Sequence, residues 1–212
     1  MSVGAIILCG GKSSRMTVPK ATLPFGRETL LERVVRICAE ELSPIVVVAA
    51  SQQTLPPLDE QVLVTHDRRA GRGPLEGLSA GLAAIQPFAE AAYVTSCDVP
   101  FLNPEFIRTL VDRLDTHDVV VPCDEKYHHP LAAVYRTSIL PDVEALLAQD
   151  RMRPLFLFDA VNTLRIRTTQ LRHVDPDLRS LMNLNQPADY FAALELAGLH
   201  ASPELRERFQ SD

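Results

Sequence analysis

The chain opens on an apolar run, Val3 to Cys9, that does not alternate with polar residues and is followed by two glycines. A continuous run of this length predicts a strand covered on both faces. From Glu28 to Leu42 the rhythm changes. Leu30, Leu31, Val34, Val35, Ile37, Cys38 and Leu42 recur at helical spacing with Glu and Arg between them, which predicts an amphipathic helix. Residues 43–51 (SPIVVVAAS) predict a second buried strand, 54–60 a loop, and 61–67 (QVLVTHD) a third strand. Residues 73–85 (GPLEGLSAGLAAI) predict a helix with small residues on one side, and 91–98 (AAYVTSCD) a fourth strand ending on an acid. Asn103 is placed to cap a helix over 103–114, with Pro104 at its first position.

Further strands are expected at 118–123 and 129–136, and an alternating one at 162–168. A helix is expected at 138–149, where Pro141 fits the first turn, and another at 187–198 closed by Gly198. Residues 153–159 (RPLFLFD) suit either state, and the polar tail from about Ser202 is expected to fray. Strands that alternate with helices need crossover connections, hence a largely parallel sheet covered on both faces. With no repeat, low-complexity segment or linker, the expected organisation is one α/β domain over residues 1–212, a Rossmann-like three-layer sandwich.

Composition changes this picture little. The net charge of −6 argues against nucleic acid or an anionic membrane as the main partner, but not against a small phosphate ligand. No apolar run reaches bilayer length and no signal-peptide pattern opens the chain, so a cytoplasmic location is expected. Cys9, Cys38, Cys97 and Cys123 lie in or beside apolar segments without a C-x-x-C pair, which predicts reduced buried thiols.

In parallel sheets, ligands bind outside the carboxyl ends of the strands. That rule singles out Leu8 to Gly11, Ala49, Ala50, Asp67, Cys97 and Asp98. Gly10 and Gly11 allow positive φ and close approach to a ligand, and successive N–H groups there can grip phosphate or a base edge. Arg15 and Lys20 are placed to bring positive charge to a triphosphate. Neither the P-loop nor the G-x-G-x-x-G pattern is present. Asp98, at a strand end with Pro100 beyond it, suits Mg²⁺, which takes one or two carboxylates with phosphate oxygens and water; the competing role is a helix cap. Asn183 and Asn185 alternate, so both amides can face one way, toward phosphate, a pterin or a metal-bound water, or else form a turn ahead of Pro187. His128 and His129 are adjacent and so unsuited to sharing a metal. Arg68 to Arg72 (RRAGR) is either a solvated turn or an anion-capturing loop.

The opening stretch, LCGGKSSRM followed by PKATLPFG, resembles the nucleotidyltransferases of the molybdenum cofactor guanylyltransferase type. In the same order, GPLEG (73–77), CDVPFL (97–102), HHPLAAVYR (128–136) and NLNQPADY (183–190) resemble further segments of that family. Thr17, Pro19 and Cys9 depart from it, standing where glycine, aspartate and alanine are common, and relatives can carry an asparagine near Ala49 that this chain lacks. The resemblance implies the nucleotide-diphospho-sugar transferase fold. It also implies transfer of GMP from GTP to molybdopterin or Mo-molybdopterin with release of pyrophosphate. The acceptor would be handed over by cofactor-maturation proteins, and no nucleic acid or membrane would take part. By the same resemblance Leu8, Cys9, Gly10, Gly11, Lys20, Asp67 and Asp98 bind nucleotide, and Arg15, Lys20 and Asp98 are catalytic. Asp98 holds Mg²⁺, while His129, Asn183 and Asn185 meet the acceptor. Cytidylyltransferases of the fold commonly carry A-A-G at the place of Cys9-Gly10-Gly11, and the second glycine here leaves room for the larger guanine. Two other readings stand beside this one: a cytidylyltransferase acting on molybdopterin or another phosphorylated acceptor, and a non-catalytic nucleotide-binding adaptor or sensor.

Overall fold

The computed structural model describes residues 1–10, 16, 18–69 and 71–210. The described strands are, in chain order, β1 (Val3–Leu8), β2 (Pro24–Phe25), β3 (Glu28–Thr29), β4 (Ile45–Ala49), β5 (Leu63–His66), β6 (Ala91–Ser96), β7 (Val119–Cys123), β8 (Ala133–Arg136) and β9 (Thr163–Arg167). The helices are α1 (Leu30–Ala39), α2 (Pro74–Ile85), α3 (Pro104–Asp112), α4 (Leu140–Ala148), α5 (Pro154–Ala160), α6 (Pro187–Leu196) and α7 (Pro203–Gln210). No helix among the described residues is long and apolar enough to cross a membrane.

Seven strands form one sheet in the order β5-β4-β1-β6-β8-β7-β9. The unbroken apolar run of β1 has its reason here, since it pairs in parallel with β4 on one side and β6 on the other. Ala5 and Ile7 face a core closed by α1 and α3, through Leu31, Val34, Phe106 and Leu110. Ile6 and Leu8 face the opposite core, built by α2, α4 and α5 through Leu78, Leu82, Val143 and Phe158. Three layers follow, as the alternation of strands and helices implies. A third apolar cluster joins Leu23, Phe25 and Leu30 to Leu184, Tyr190 and Leu205, so α6 and α7 close over the small ribbon of β2 and β3.

Several local outcomes refine the sequence expectations. The first helix begins at Leu30 rather than Glu28. Thr29 Oγ1 accepts from the Glu32 N–H at 3.3 Å while the Glu32 carboxylate accepts from the Thr29 N–H at 2.7 Å, a reciprocal cap that fixes the start. Asn103 caps α3 as expected, its Oδ1 accepting from Glu105 N–H at 2.9 Å. The ambiguous segment 153–159 falls in helix α5 from Pro154 on, with Leu157 and Phe158 buried against the α2 and α4 layer. β8 runs antiparallel between β6 and β7. Its link from β7 spans only residues 124–132, too short for a crossover, so the chain turns back. The tail from Ser202 forms α7, where Leu205 is buried and Phe209 meets Phe191 edge-on at 5.4 Å; the i, i+4 spacing of these two residues gives the polar segment one apolar face.

Candidate functional site

The chain runs from β1 to β4 and β5 on one side of the sheet, then crosses to β6 on the other. The carboxyl ends of β1 and β6 therefore flank a topological switch point, the usual ligand crevice of such sheets. A cavity of about 640 Å³ opens there, lined by Leu8, Cys9, Gly10, Lys20, Asp67, Asp98, Asn183 and Asn185 among others. That volume suits a nucleotide-sized ligand.

At one end of the cavity the polar groups converge on Asp98. Asp98 is buried just beyond β6, and its Oδ2 receives the Lys20 ammonium at 2.6 Å. Its Oδ1 accepts from Ser96 Oγ at 2.5 Å and from Asn183 Nδ2 at 3.0 Å. Lys20 also donates to Asn185 Oδ1 at 3.4 Å. The asparagines reach this point because the segment after Met182 docks on the strand end, with Leu184 N–H donating to the Asp98 carbonyl at 3.0 Å. Leu184 itself is buried, so the alternation puts its two asparagine neighbours on the cavity side. Asp189 accepts from the N–H groups of both Asn185 and Gln186 and caps α6, leaving the Asn185 side chain for Lys20. The turn after Asp98 is held by Arg33, whose Nε donates to the Pro100 carbonyl at 2.6 Å. Asp98 thus takes no part in capping α3, a task that falls to Asn103.

The opposite end is built on close backbone approach. A Cβ on Gly10 would lie 2.7 Å from Asp67 Oδ2 and 3.3 Å from the Ala50 nitrogen. Gly10 is not among the positive-φ glycines, so closeness and not a left-handed turn requires glycine here. A Cβ on Gly77, in the first turns of α2, would press on Leu8 at 3.2 Å and on Asp67 Oδ1 at 3.3 Å. Burial lifts the Asp67 carboxyl above its ordinary pKa, the nearby Glu76 carboxylate adds to the rise, and His66 opposes it. The basic loop before α2 is committed to the protein. Arg68 pairs with Glu144 at 3.0 Å, and Arg72 donates to the Leu147 carbonyl at 2.7 Å and to Asp150 at 3.0 Å. Both arginines pin the loop to α4, and Arg72 also lines the cavity.

Of the residues singled out from sequence, Leu8, Cys9, Gly10, Lys20, Asp67, Asp98, Asn183 and Asn185 all line the one cavity. Gly11, Arg15 and Thr17 lie outside the described residues. His129 is not among the lining residues: its Nε2 lies 3.5 Å from Asp124, and burial lowers its pKa despite that carboxylate. His128 instead accepts from Arg165 Nε at 3.2 Å and packs on Phe158. All four cysteines are free and buried. The Cys9 thiol is pushed well up by its contact with Cys97 and by burial. Sequence reasoning passed over Ser96, although it stands two residues before Asp98 in the predicted strand 91–98, where alternation gives both the same side. It also passed over Gln53, whose carboxamide reaches Cys9 and Ala50.

Mg²⁺ fits this donor set. The Asp98 and Asn185 side-chain oxygens already converge on one cation, the Lys20 ammonium. No group of three or more His, Cys, Asp or Glu that could hold a metal occurs among the described residues. A single hard carboxylate completed by phosphate oxygens and water is the arrangement Mg²⁺ favours.

Comparison with known proteins shows the family. Residues 5–163 match the MobA-like NTP transferase domain family. A probable molybdenum cofactor guanylyltransferase of Mycobacterium ulcerans is 39% identical over 194 residues, covering 89% of this chain and 92% of the relative. One of the same description from Methanosarcina mazei is 32% identical over 196 residues, covering 87% of each. The crystal structure of molybdopterin-guanine dinucleotide biosynthesis protein A from Archaeoglobus fulgidus superposes with a TM-score of 0.75 at 24% identity, covering 93% of this chain and 99% of that one.

Proposed function

Since the chain belongs to the MobA-like NTP transferase family, we propose that it transfers GMP from GTP to molybdopterin or its molybdenum-loaded form, releasing pyrophosphate. The observation that carries this reading is the convergence of Lys20, Asp98, Asn183 and Asn185 at the switch-point cavity. An acceptor phosphate oxygen attacks the α-phosphorus of GTP, and the bond to the β-phosphate bridging oxygen breaks. No side chain becomes covalently linked, so the protein contributes positioning and charge stabilisation.

Lys20 leaves Asp98 for the triphosphate and offsets the charge that grows on the leaving pyrophosphate. Asp98 would hold Mg²⁺ when it is bound, and Ser96 and Asn183 keep its carboxylate in place through Oδ1. When bound, Mg²⁺ supplies Lewis-acid neutralisation of the phosphate oxygens. Arg15 supplies further positive charge to the triphosphate. Asp67, Gly10 and Gly77 form the base end: a carboxylate that close packing holds in place can accept from the N–H groups on one edge of guanine. Asn185 and Asn183 orient the acceptor phosphate.

The deciding experiment supplies GTP or CTP with Mg²⁺, with and without molybdopterin-loaded carrier protein, and follows pyrophosphate. Release from GTP that requires the pterin supports the proposal. Release from CTP moves the specificity within the same fold, and tight nucleotide binding without release identifies a sensor.

A further inference from the structure

In a parallel ladder, a residue that donates its N–H to one carbonyl of the neighbouring strand offers its own C=O to the N–H two residues further along. Cys9 carries this pattern against β4 one step past the strand end, its N–H donating to the Val48 carbonyl at 2.8 Å. Its C=O is therefore due to meet the Ala50 N–H. Instead a side chain stands between them. Gln53 Oε1 accepts from the Ala50 N–H at 3.0 Å, and Gln53 Nε2 donates to the Cys9 carbonyl at 3.3 Å. One carboxamide, which carries the same donor and acceptor as a peptide unit, is spliced into the ladder where the strands leave the sheet.

The turn after β4 delivers it. Gln53 N–H donates back to the Ala50 carbonyl at 3.1 Å, and Gln52 takes a left-handed φ of 66°. That conformation is unfavourable for a residue with a Cβ, so the surrounding contacts must select it. The splice lies at the wall of the cavity, since Cys9, Gly10 and Ala50 all line it. Gln53 itself borders a second cavity of about 670 Å³, with Val18, Thr54 and Arg208.

We infer that Gln53 is a positioning residue for the nucleotide: its amide holds the ends of β1 and β4 apart and sets the width of the slot at Gly10 and Ala50. The inference rests on the nucleotide-transfer reading above. Removing the amide lets Cys9 C=O and Ala50 N–H close the ladder directly. The fold then loses little, while the slot narrows. A hydrogen bond of purely structural value behaves the other way, costing stability and sparing affinity.

The test is titration calorimetry of GTP and of CTP with Mg²⁺, with thermal unfolding and steady-state kinetics, on the wild type, Gln53→Ala and Gln53→Glu. Expected for Gln53→Ala is about tenfold weaker nucleotide binding and an equal rise in KM, with kcat within about twofold and an unfolding midpoint within about 3 °C of wild type. Gln53→Glu sets a carboxylate against the Cys9 carbonyl, so its affinity falls at neutral pH and recovers in acid, where the protonated group donates again. Unchanged affinity in both variants overturns the inference, as does an affinity loss that merely tracks a lowered midpoint. A wild type that prefers CTP overturns the guanylyl reading alone, and Gln53 is then judged on CTP. A wild type that binds neither nucleotide overturns both.

Discussion

The Lys20 ammonium stands 2.6 Å from Asp98 Oδ2, bringing together the segment after the first loop and the end of β6, and both side chains are largely shielded from solvent. A shielded pair is costly to break from one side only, because the remaining charge keeps its desolvation penalty. Lys20→Ala is expected to lower stability by about 1–3 kcal/mol in urea unfolding and to reduce turnover by about a hundredfold or more. Lys20→Ala combined with Asp98→Ala should be less destabilised than the two single losses added together. Additive losses would show that the pair is not coupled in the folded protein.

Ser96 holds Asp98 from the other oxygen, at 2.5 Å, and is itself buried. Ser96→Ala leaves Asn183 as the remaining hydrogen-bond donor described on that oxygen. The half-saturating Mg²⁺ concentration for pyrophosphate release should rise about five- to tenfold, the equivalent of one ordinary hydrogen bond. Titration of Mg²⁺ at saturating GTP measures this directly, and an unchanged midpoint would remove Ser96 from the support of Asp98.

Gly10 admits no side chain without displacement of Asp67, which a Cβ would meet at 2.7 Å. Gly10→Ala should therefore weaken nucleotide binding by at least about tenfold and cost about 1–3 kcal/mol of stability. Calorimetry with GTP and thermal unfolding report the two effects separately.

His129 is held neutral by burial, its pKa lowered from 6.5 although Asp124 pulls the other way. The unfolded chain then binds the proton at higher pH than the folded one. This stabilising contribution is complete above the unfolded value and is lost as pH falls through the lowered folded value. His128 shifts in the same direction, by burial and then by Arg165. Urea unfolding at about pH 7.5 and about pH 5 should show a loss on acidification that is smaller in His129→Gln. An equal loss in the variant would assign the acid sensitivity elsewhere.

Much of the fold was legible along the chain. The apolar runs of β1, β4 and β6 have no polar face because helices cover both sides of the sheet, and such runs are readable from composition alone. Asn103 and Pro104 announced α3 through chemistry confined to one helix turn. The antiparallel insertion of β8 was less legible, since a strand's direction depends on the length of its link and on the gap it fills. α5 was ambiguous because seven residues carry too little periodicity to separate helix from strand.

The candidate site divides in the same way. Gly10, Asp67 and Asp98 could be picked out because each lies at or directly after the end of a predicted strand, and a parallel sheet gathers those ends into one crevice. The alternation of Asn183 and Asn185 gave them a common face, but not the strand end they reach, which the bond from Leu184 N–H to the Asp98 carbonyl decides. His129, in a matching segment, is held beside Asp124 and does not line the cavity.

By itself, then, the sequence determined most of the strands and helices of the sheet and its covering layers, where the main strand ends fall, and which side chains leave them. These properties follow from steric and hydrophobic preferences acting over a few residues. The partner of Lys20, the hydrogen bond from Asn183 to Asp98 and the splice of Gln53 between Cys9 and Ala50 were decided by tertiary structure. Each depends on polar groups distant along the chain meeting within about 3 Å, and hydrogen-bond geometry falls off too steeply for any local pattern to encode such a meeting.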